Sequence, residues 1–407
     1  MTDARIPAAL RRAYFVFFFA FGSYQPFLNL HFKQIGLSGS QIGLMAAIWP
    51  AASFLAPPLF GSLADARGRI GRTTAGLMIA AAFPFALMPG LSGFWALLPA
   101  LIAFALTISP VMPLLDTAAV TAASAGDLRN SYGRIRRFGS LGYMAGVIVL
   151  GQLAERLGLG YALYATPVAL VAGGLMTARL GDTRSPNTTS GRPSGLSQLF
   201  AHLRRAAAGV WRNRPLRLFY VAGGLAQLGA ISYNAFFAIY AHDLGISDGW
   251  IGILLAVAVT SEVGVLSLAH RIEARIGAFG LFALGVAGQL VRWSAMALAA
   301  NLWLIVALQL LHGLTFAAFW AGAVGVVQKW TDPGSRASGQ ALWAAVSRGL
   351  AGAAGTLIAG RIYDAFGVRT LFWCAAGMAA AALVLAGWVG LDGSLQRRSL
   401  AQRGKTL

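Results

Sequence analysis

Charged residues are scarce in this chain, and acidic residues are the scarcest of them. Of 407 residues only 13 are Asp or Glu, all charged residues together make up 11%, and 57% are hydrophobic. Soluble domains carry about 25% charged residues, so this composition excludes a water-soluble globule and favours a protein solvated by lipid. The single cysteine, Cys374, lies in an apolar run, which excludes an intrachain disulfide framework or a thiolate zinc site.

The sequence also lacks the patterns that catalysis requires. No G-x-x-x-x-G-K-[ST] loop is present, which argues against ATP hydrolysis by this chain. The five histidines are scattered without metal-ligand spacing, and no nucleophile–base–acid constellation is found. We therefore expect no enzyme activity, no cofactor and no metal. A receptor without transport activity would need a sizeable domain outside the membrane, and the longest polar stretch is only a linker.

Long apolar runs are what the chain has in abundance. A helix needs about 20 apolar residues to cross a bilayer, and on this basis we predict twelve spans. The first run is too long for a signal peptide and lacks a small-residue cleavage site. The spans are expected near 12–32, 39–61, 73–91, 94–122, 134–154, 160–179, 217–240, 250–269, 279–299, 302–327, 338–360 and 369–391.

The connectors predict two six-helix halves. Most are short, but 180–216 is rich in Arg, Ser, Pro and Gly and is typical of a flexible polar linker. We expect an N-terminal half at 1–179, a C-terminal half at 217–391 and a tail at 392–407.

Positive charge is large and unevenly placed along the chain. The formal net charge is +19, and most Arg and Lys residues lie in the N-terminus, the alternate loops, the linker and the tail. This is the positive-inside pattern, so we expect a bacterial inner-membrane protein with both termini, linker and tail in the cytoplasm. It also argues against nucleic acid as a partner, because no soluble basic domain is present.

The two predicted halves repeat in sequence. Segment 36–43 (Gly-Leu-Ser-Gly-Ser-Gln-Ile-Gly) matches segment 245–252 (252 − 43 = 209), and segment 151–155 matches segment 360–364 at the same offset. A constant offset at distant places indicates a duplicated six-span unit. Two six-span halves with a site at their interface are the architecture of a rocking secondary transporter.

Three ionisable residues lie deep inside consecutive predicted spans. Glu262, Arg292 and His312 are each ~10–13 residues from a helix end, which at about 1.5 Å per residue is near the middle of the membrane. A charge at that depth costs at least ~2.5–3.5 kcal/mol on insertion scales, so it needs a partner or a wet cavity. We predict that these three side chains form a charged network.

Spans four, five and eleven supply further charges. Asp116 follows two prolines in span four, Arg136 opens span five at a depth from which it can approach Asp116, and Arg348 lies in span eleven. An unpaired guanidinium in the membrane is costly unless an anion meets it, so we expect Arg348 to receive a substrate carboxylate. The alternative is a pair with Asp116 or Glu262 that only holds the halves together.

Five aromatic residues are candidates for stacking on an aromatic substrate, and the alternative for each is a structural place at a membrane interface or in helix packing. They are Trp293, Trp320, Trp343, Tyr24 and Tyr233.

Segment 61–69 (Gly-Ser-Leu-Ala-Asp-Ala-Arg-Gly-Arg) resembles the signature loop of the major facilitator superfamily, between spans two and three. The match keeps Gly61, Asp65, Gly68 and Arg69 but has Ala66 where a basic residue is usual. The resemblance implies a gating role for these four residues, and the alternative is an ordinary charged turn.

Further motifs resemble the phenylpropionate permease branch, which is similar in turn to the lactose permease family of proton symporters. They are a Pro-x-x-Asp at Asp116, a Tyr-Gly-x-x-Arg-x-x-Gly-Ser run through Arg136, Glu262, the Arg-Trp pair at Arg292, and Leu-His-Gly-x-Thr-Phe around His312. The resemblance covers nearly the whole chain apart from linker and tail. It implies proton-coupled uptake in which Asp116 and Arg136 contact the substrate. The coupling network would then consist of Glu262, Arg292 and His312.

Two positions depart from the lactose permease pattern. Thr315 stands where that family has the acid that carries the coupling proton. Arg348 matches a lysine of that family, and the acidic partner of this lysine lies in span seven, at the position that is Asn234 here. The loss of two acids makes the predicted cavity relatively cationic and favours an anionic substrate. The remaining candidates for the coupling proton are Glu262, Asp116 and His312.

We therefore predict an all-α membrane protein with twelve transmembrane helices in two pseudo-symmetric halves. It is expected to act as a monomer and to carry a small organic solute together with protons, with an aromatic carboxylate favoured. The expected substrate-binding residues are Asp116, Arg136, Asn234, Arg348, Trp320 and Trp343. A sugar or nucleoside symporter and a proton-driven efflux pump are the alternatives.

Overall fold

The computed structural model of the chain describes residues 5–124, 131–178, 180, 204, 207–331 and 335–403. Within these ranges the regular structure is entirely helical. The apolar runs explain this, because a helix satisfies its backbone N–H and C=O groups internally where lipid offers no partners. Most of the predicted linker lies outside the described residues.

The first part of the chain forms helices of very different length. They are α1 (Arg5–Tyr24), α2 (Leu28–Gln34), α3 (Gly39–Arg67), α4 (Ile70–Leu87), α5 (Phe94–Ile108), α6 (Val111–Ser124), α7 (Ser131–Leu157), α8 (Leu159–Ala162) and α9 (Ala165–Ala178). A short 3-10 turn, Met88–Gly90, follows α4.

The second part contains longer helical elements and two π-helical segments. They are α10 (Arg214–Asp243), α11 (Asp248–Leu298), α12 (Leu302–Leu310), α13 (Phe319–Trp330), α14 (Arg336–Ala344) and α15 (Ala351–Arg403), with π-helices at Gly313–Ala318 and Ala345–Leu350. Because π-bulges are frequent at functional sites, these two segments are candidates for part of a functional site.

Two of the longest elements are interrupted by a glycine. Gly277 in α11 has φ 75° and ψ 167°, and Gly367 in α15 has φ 78° and ψ 173°. Both values lie outside the helical region and are reached easily only by glycine, so each element is two helices joined by a tight turn. Gly277 lies at the predicted repeat offset from Gly68, whose φ is also positive at 60°.

Eight helical stretches in the described part of the chain are long and apolar enough to cross a membrane. Two of them, Asp248–Leu298 and Arg336–Gly390, contain the glycine turns at Gly277 and Gly367. The predicted number of twelve crossings stays a prediction.

The segment that resembles the signature loop is mostly helical, which differs from the predicted turn. The helix α3 continues from Gly61 through Arg67. It ends before Gly68, whose positive φ of 60° is outside the helical region. The N–H of Arg69 then donates to Ala64 O at 3.2 Å just before α4 begins. The side chain of Asp65 lies outside the described part of the structure, so the gating role stays a prediction.

The chain divides into two compact units whose boundaries differ from those of the predicted halves. Unit 1 comprises Met1–Arg192, Asn234–Val259 and Thr356–Asp364. Unit 2 comprises Pro193–Tyr233, Thr260–Gly355 and Ala365–Leu407. The helix α10 therefore passes from unit 2 into unit 1 after Tyr233.

Aromatic rings fill the interior of unit 1 around Tyr24. This side chain is 2% exposed and stacks on Trp49 at 5.7 Å between ring centroids. Phe104 meets it edge-on at 5.0 Å, and Phe85 lies at 5.6 Å. Since Tyr24 is enclosed by these rings, its place is in helix packing, the second of the two interpretations left open by the sequence.

Candidate functional site

Arg292 is a fully buried cation in unit 2. It lies in the second helix of α11, and its side chain is 0% exposed. Its Nη2 donates to Gln309 Oε1 at 2.8 Å, its Nη1 donates to Thr315 Oγ1 at 3.0 Å, and Nη1 lies 2.9 Å from His312 Nδ1. These three partners are spaced three residues apart, which places them along one side of a helical segment.

Aromatic rings cover the guanidinium of Arg292. Its Cζ lies 4.2 Å from the ring centroid of Tyr233 and 5.0 Å from that of Trp293. Tyr233 also donates from its hydroxyl to Gln309 Oε1 at 2.8 Å. A desolvated cation–π contact is worth about 2 kcal/mol, so these two faces offset part of the cost of burying the charge. No carboxylate of the described residues lies within ion-pair distance of Arg292.

The contact with Arg292 determines the protonation of His312. A guanidinium can only donate, so Nδ1 of the imidazole must accept and the ring proton must lie on Nε2. The Nε2 atom faces Glu262 Oε2 at 3.9 Å, close enough for attraction but longer than a hydrogen bond. His312 is therefore a neutral imidazole that directs its N–H toward Glu262.

Ser261 holds the helix at His312 in place. Its hydroxyl donates a short hydrogen bond to Leu310 O, and its oxygen accepts from the N–H of Gly313 at 3.2 Å. These bonds lie on either side of His312, where α12 ends and the π-helix Gly313–Ala318 begins. Backbone groups freed by the change of helix type are thus satisfied by a side chain, which fixes the position of the imidazole.

Arg348 and Trp320 form a second site in unit 2. Arg348 lies in the π-helix Ala345–Leu350, its side chain is exposed, and its Cζ is 5.2 Å from the Trp320 ring centroid. No ion pair of Arg348 is found among the described residues. The pair presents a cation beside a half-buried aromatic ring.

Trp343 supports this site from behind. It meets Trp320 edge-on at 5.9 Å, is 1% exposed, and stacks on Phe219 at 5.4 Å. A Cβ added at Gly223 would lie 2.4 Å from its ring, so the indole is enclosed on that side too. Trp343 therefore lies in the core of unit 2, whereas Trp320 is half-buried, and contact of either ring with a substrate stays a prediction.

Asp116 and Arg136 meet in unit 1, as the sequence predicted. Arg136 Nη1 lies 3.2 Å from Asp116 Oδ1, which also accepts from the Tyr14 hydroxyl at 2.5 Å. The guanidinium lies over the Phe18 ring at 5.3 Å. Both side chains of the ion pair are partly exposed, and their contact with a substrate stays a prediction.

Several site residues were not predicted from the sequence. Gln309 had a signal, since it lies three residues before His312 inside an apolar run. Tyr14 had no such signal, because its partner Asp116 is 102 positions away.

Asn234, which was predicted to bind substrate, is exposed in α10, and its role stays a prediction.

Comparisons with known proteins agree over nearly the whole chain. A family model described as MFS_1 like family matches residues 8–374. The probable 3-phenylpropionic acid transporter of Escherichia coli (strain K12) is 29% identical over 385 residues, which cover 92% of this chain and 96% of that protein. The maltose permease of Geobacillus stearothermophilus is 28% identical over 362 residues, which cover 88% of each chain.

Solved structures show the same fold. The crystal structure of the nucleoside transporter NupG (D323A mutant) matches with a TM-score of 0.85 at 17% identity, covering 94% of this chain and 99% of that one. The helices long enough to cross a membrane and the family match lead to one conclusion. The chain belongs to the MFS_1 like family and is an integral membrane transporter of the major facilitator superfamily, not an enzyme.

Proposed function

We propose that this transporter is a proton-coupled symporter of a small organic anion, with an aromatic carboxylate as the favoured substrate. The observation that carries the proposal is the Arg348–Trp320 pair, with the guanidinium 5.2 Å from the indole centroid. A guanidinium binds a carboxylate through two parallel hydrogen bonds, and an indole face stacks on an aromatic ring. An aromatic carboxylate satisfies both groups at once, and a probable 3-phenylpropionic acid transporter is among the relatives.

In this proposal the ion pair of unit 1 contributes a second set of contacts to the solute. Asp116 is held by Arg136 and Tyr14, so its charge is largely compensated. The partly exposed guanidinium of Arg136 keeps donors that a polar group of the solute can use.

Glu262 is the proposed proton carrier. Protonation of His312 at Nδ1 would replace an acceptor with a donor in front of Arg292 and would place two cations side by side. Glu262 is also the more exposed of the two, at 28% against 13% for His312. His312 therefore acts as a neutral group that attracts ionised Glu262 and releases it when the carboxylate is protonated.

We further propose twelve crossings in two six-helix halves, with both termini cytoplasmic in a bacterial inner membrane. Eight apolar stretches are found, two of which contain a glycine turn and supply two crossings each. The helices α1 and α10 supply the other two. Basic residues concentrated in alternate loops support the orientation.

A sugar symporter is the second candidate function. It is favoured by the maltose permease of Geobacillus stearothermophilus, which is 28% identical to this chain, against 29% for the probable 3-phenylpropionic acid transporter. A sugar carries no charge, so in this function Arg348 would donate hydrogen bonds to hydroxyl groups and would not pair with an anion.

A binding measurement on purified protein separates the two functions. We expect 3-phenylpropionate to raise the unfolding temperature, because a ligand that binds only the folded state stabilises it. Maltose and uridine at the same concentration should have no effect. Stabilisation by maltose but not by aromatic acids would overturn the proposed substrate class.

A further inference from the structure

Asp364 caps the start of a helix that lies more than 300 residues earlier in the chain. Its Oδ1 accepts from the N–H of Gly39 at 2.6 Å, and its Oδ2 accepts from the N–H of Ser40 at 2.7 Å and from the Ser40 hydroxyl at 2.6 Å. Gly39 is the first residue of α3. The first N–H groups of a helix have no partner within the helix and carry partial positive charge, so a carboxylate there is stabilising.

Glu155 makes the same kind of contact at the start of α11. Its Oε2 accepts from the N–H of Gly249 at 3.1 Å and from the Ser247 hydroxyl at 3.1 Å. Glu155 lies at the end of α7, and all three residues belong to unit 1. In both caps the carboxylate receives one hydroxyl and at least one backbone N–H.

The two caps share the positions of their carboxylates and backbone N–H donors through the repeat, whereas their hydroxyl donors, Ser40 and Ser247, are not at the repeat offset. Asp364 and Glu155 are separated by the repeat offset, and so are Gly249 and Ser40. The repeated segments found in the sequence therefore meet in the structure, with 151–155 against the start of α11 and 360–364 against the start of α3. In terms of the predicted halves, each cap joins one half to the other.

Helix backbones touch beside each cap. A Cβ added at Gly43 would lie 2.3 Å from Thr356 O, and one added at Gly252 would lie 2.3 Å from Val147 O. These two contacts are again related by the repeat offset. We call the contact of 39–43 with 356–364 and of 248–252 with 147–155 the seam. No side chain lies between the helix backbones of the seam. Each cap joins the two helices of its contact, so separation of the helices breaks the hydrogen bonds of the caps.

We propose that Asp364 and Glu155 are positioning residues of the transport cycle, a symmetric pair of latches that hold the seam closed and release whenever it opens. A rocking transporter moves one half against the other, and each latch joins the two predicted halves. Both carboxylates are exposed, so water replaces the lost hydrogen bonds and each latch biases the equilibrium without locking it. The proposal rests on transport by rocking halves and not on the identity of the solute or on protons.

The test measures how fast a cysteine in the seam reacts with a thiol reagent. The full-length chain carries Cys374→Ser to remove its own thiol and Thr356→Cys as the reporter, because Thr356 is 5% exposed and lies against Gly43. The protein is placed in lipid nanodiscs, where a hydrophilic maleimide reaches both sides. The labelling rate then reports the fraction of time for which the seam is open.

Loss of a latch should increase the labelling rate. We expect Asp364→Asn and Glu155→Gln each to raise it about three- to tenfold, and the double variant to exceed either single one. The matched control is Glu273→Gln, whose carboxylate binds Lys329 Nζ at 2.8 Å in unit 2 and should leave the rate unchanged. A double variant labelled no faster than this control overturns the proposal.

A milder pair of variants decides the question if the carboxylate variants do not yield monodisperse protein. Ser40→Ala combined with Ser247→Ala keeps both carboxylates and removes one hydroxyl bond from each cap. A faster rate supports the latches, and an unchanged rate rejects them. Labelling needs neither solute nor gradient, so failure of the proposed symport in uptake assays is a separate outcome.

Discussion

At the scale of single residues, the proposed function makes Arg348 the residue that selects the solute. Arg348→Gln removes the only charge of the Arg348–Trp320 pair and keeps a polar side chain of moderate length. We expect it to weaken binding of aromatic carboxylates by about 10- to 100-fold, since a charged hydrogen bond contributes ~1.5–3 kcal/mol. Neutral amide analogues of the same acids should bind as before. Isothermal titration of both ligand series onto purified protein measures the difference.

Two variants control for a structural role of Arg348. Arg369→Gln removes another exposed arginine, one outside the seam, and should leave both ligand series unaffected. Arg348→Lys keeps the charge but loses the planar donor pair. We therefore expect it to bind the acids more tightly than Arg348→Gln does and more weakly than the unsubstituted protein does. Equal loss of acids and amides in Arg348→Gln would show that the residue supports the fold and does not select the ligand.

Sequence reasoning found the buried charges but not all of their partners. Depth within an apolar run was enough to select Glu262, Arg292 and His312, because ionisable groups at that depth are expensive. It could not show that Arg292 is held by Gln309 and Tyr233, since those contacts depend on how separate helices pack.

At the scale of helices, close backbone contact holds α13 against the second helix of α11, which carries Arg292. A Cβ at Gly322 would lie 2.3 Å from Phe282 N, and one at Gly285 would lie 2.7 Å from Phe319 Cα. Gly322→Val must therefore push the helices apart. We expect a loss of about 1–3 kcal/mol, the range for overpacked interiors, seen as a lower unfolding temperature.

Gly377→Val is the matched control for Gly322→Val. It changes a helical glycine of α15 that has no atom within 4 Å of its added Cβ. We expect little change in the unfolding temperature in this variant. An equal loss of stability in both variants would show that glycine matters at these positions for another reason than helix contact.

Helix positions followed from hydropathy, whereas local breaks did not. The apolar runs predicted where helices lie, because lipid leaves the backbone few alternatives. The π-helices at Gly313–Ala318 and Ala345–Leu350 were not predicted from the sequence, and the first begins where Ser261 of another helix bonds the backbone, a contact that hydropathy does not reveal. The segment from Gly61 shows a different kind of miss, because the family motif predicted a loop over 61–69, whereas α3 continues through Arg67 and the break comes only at Gly68.

At the scale of the whole molecule, composition and repetition were the reliable signals. The shortage of charge predicted a membrane protein, and the resemblance to major facilitator transporters is confirmed by the family match over residues 8–374. The repeat offset reappears in the glycine turns at Gly68 and Gly277 and in the caps of Glu155 and Asp364. The relatives include a maltose permease and a probable 3-phenylpropionic acid transporter, so membership of the family does not by itself specify the solute.

Uptake driven by a proton gradient tests the central claim most directly. Labelled 3-phenylpropionate is supplied to proteoliposomes with an imposed inward proton gradient. We expect accumulation that a protonophore abolishes. In Glu262→Gln, which cannot ionise, we expect gradient-driven accumulation to fall at least tenfold while exchange of internal for external solute continues. Accumulation that is unaffected by collapse of the gradient, or unchanged in Glu262→Gln, would contradict proton symport through this carboxylate.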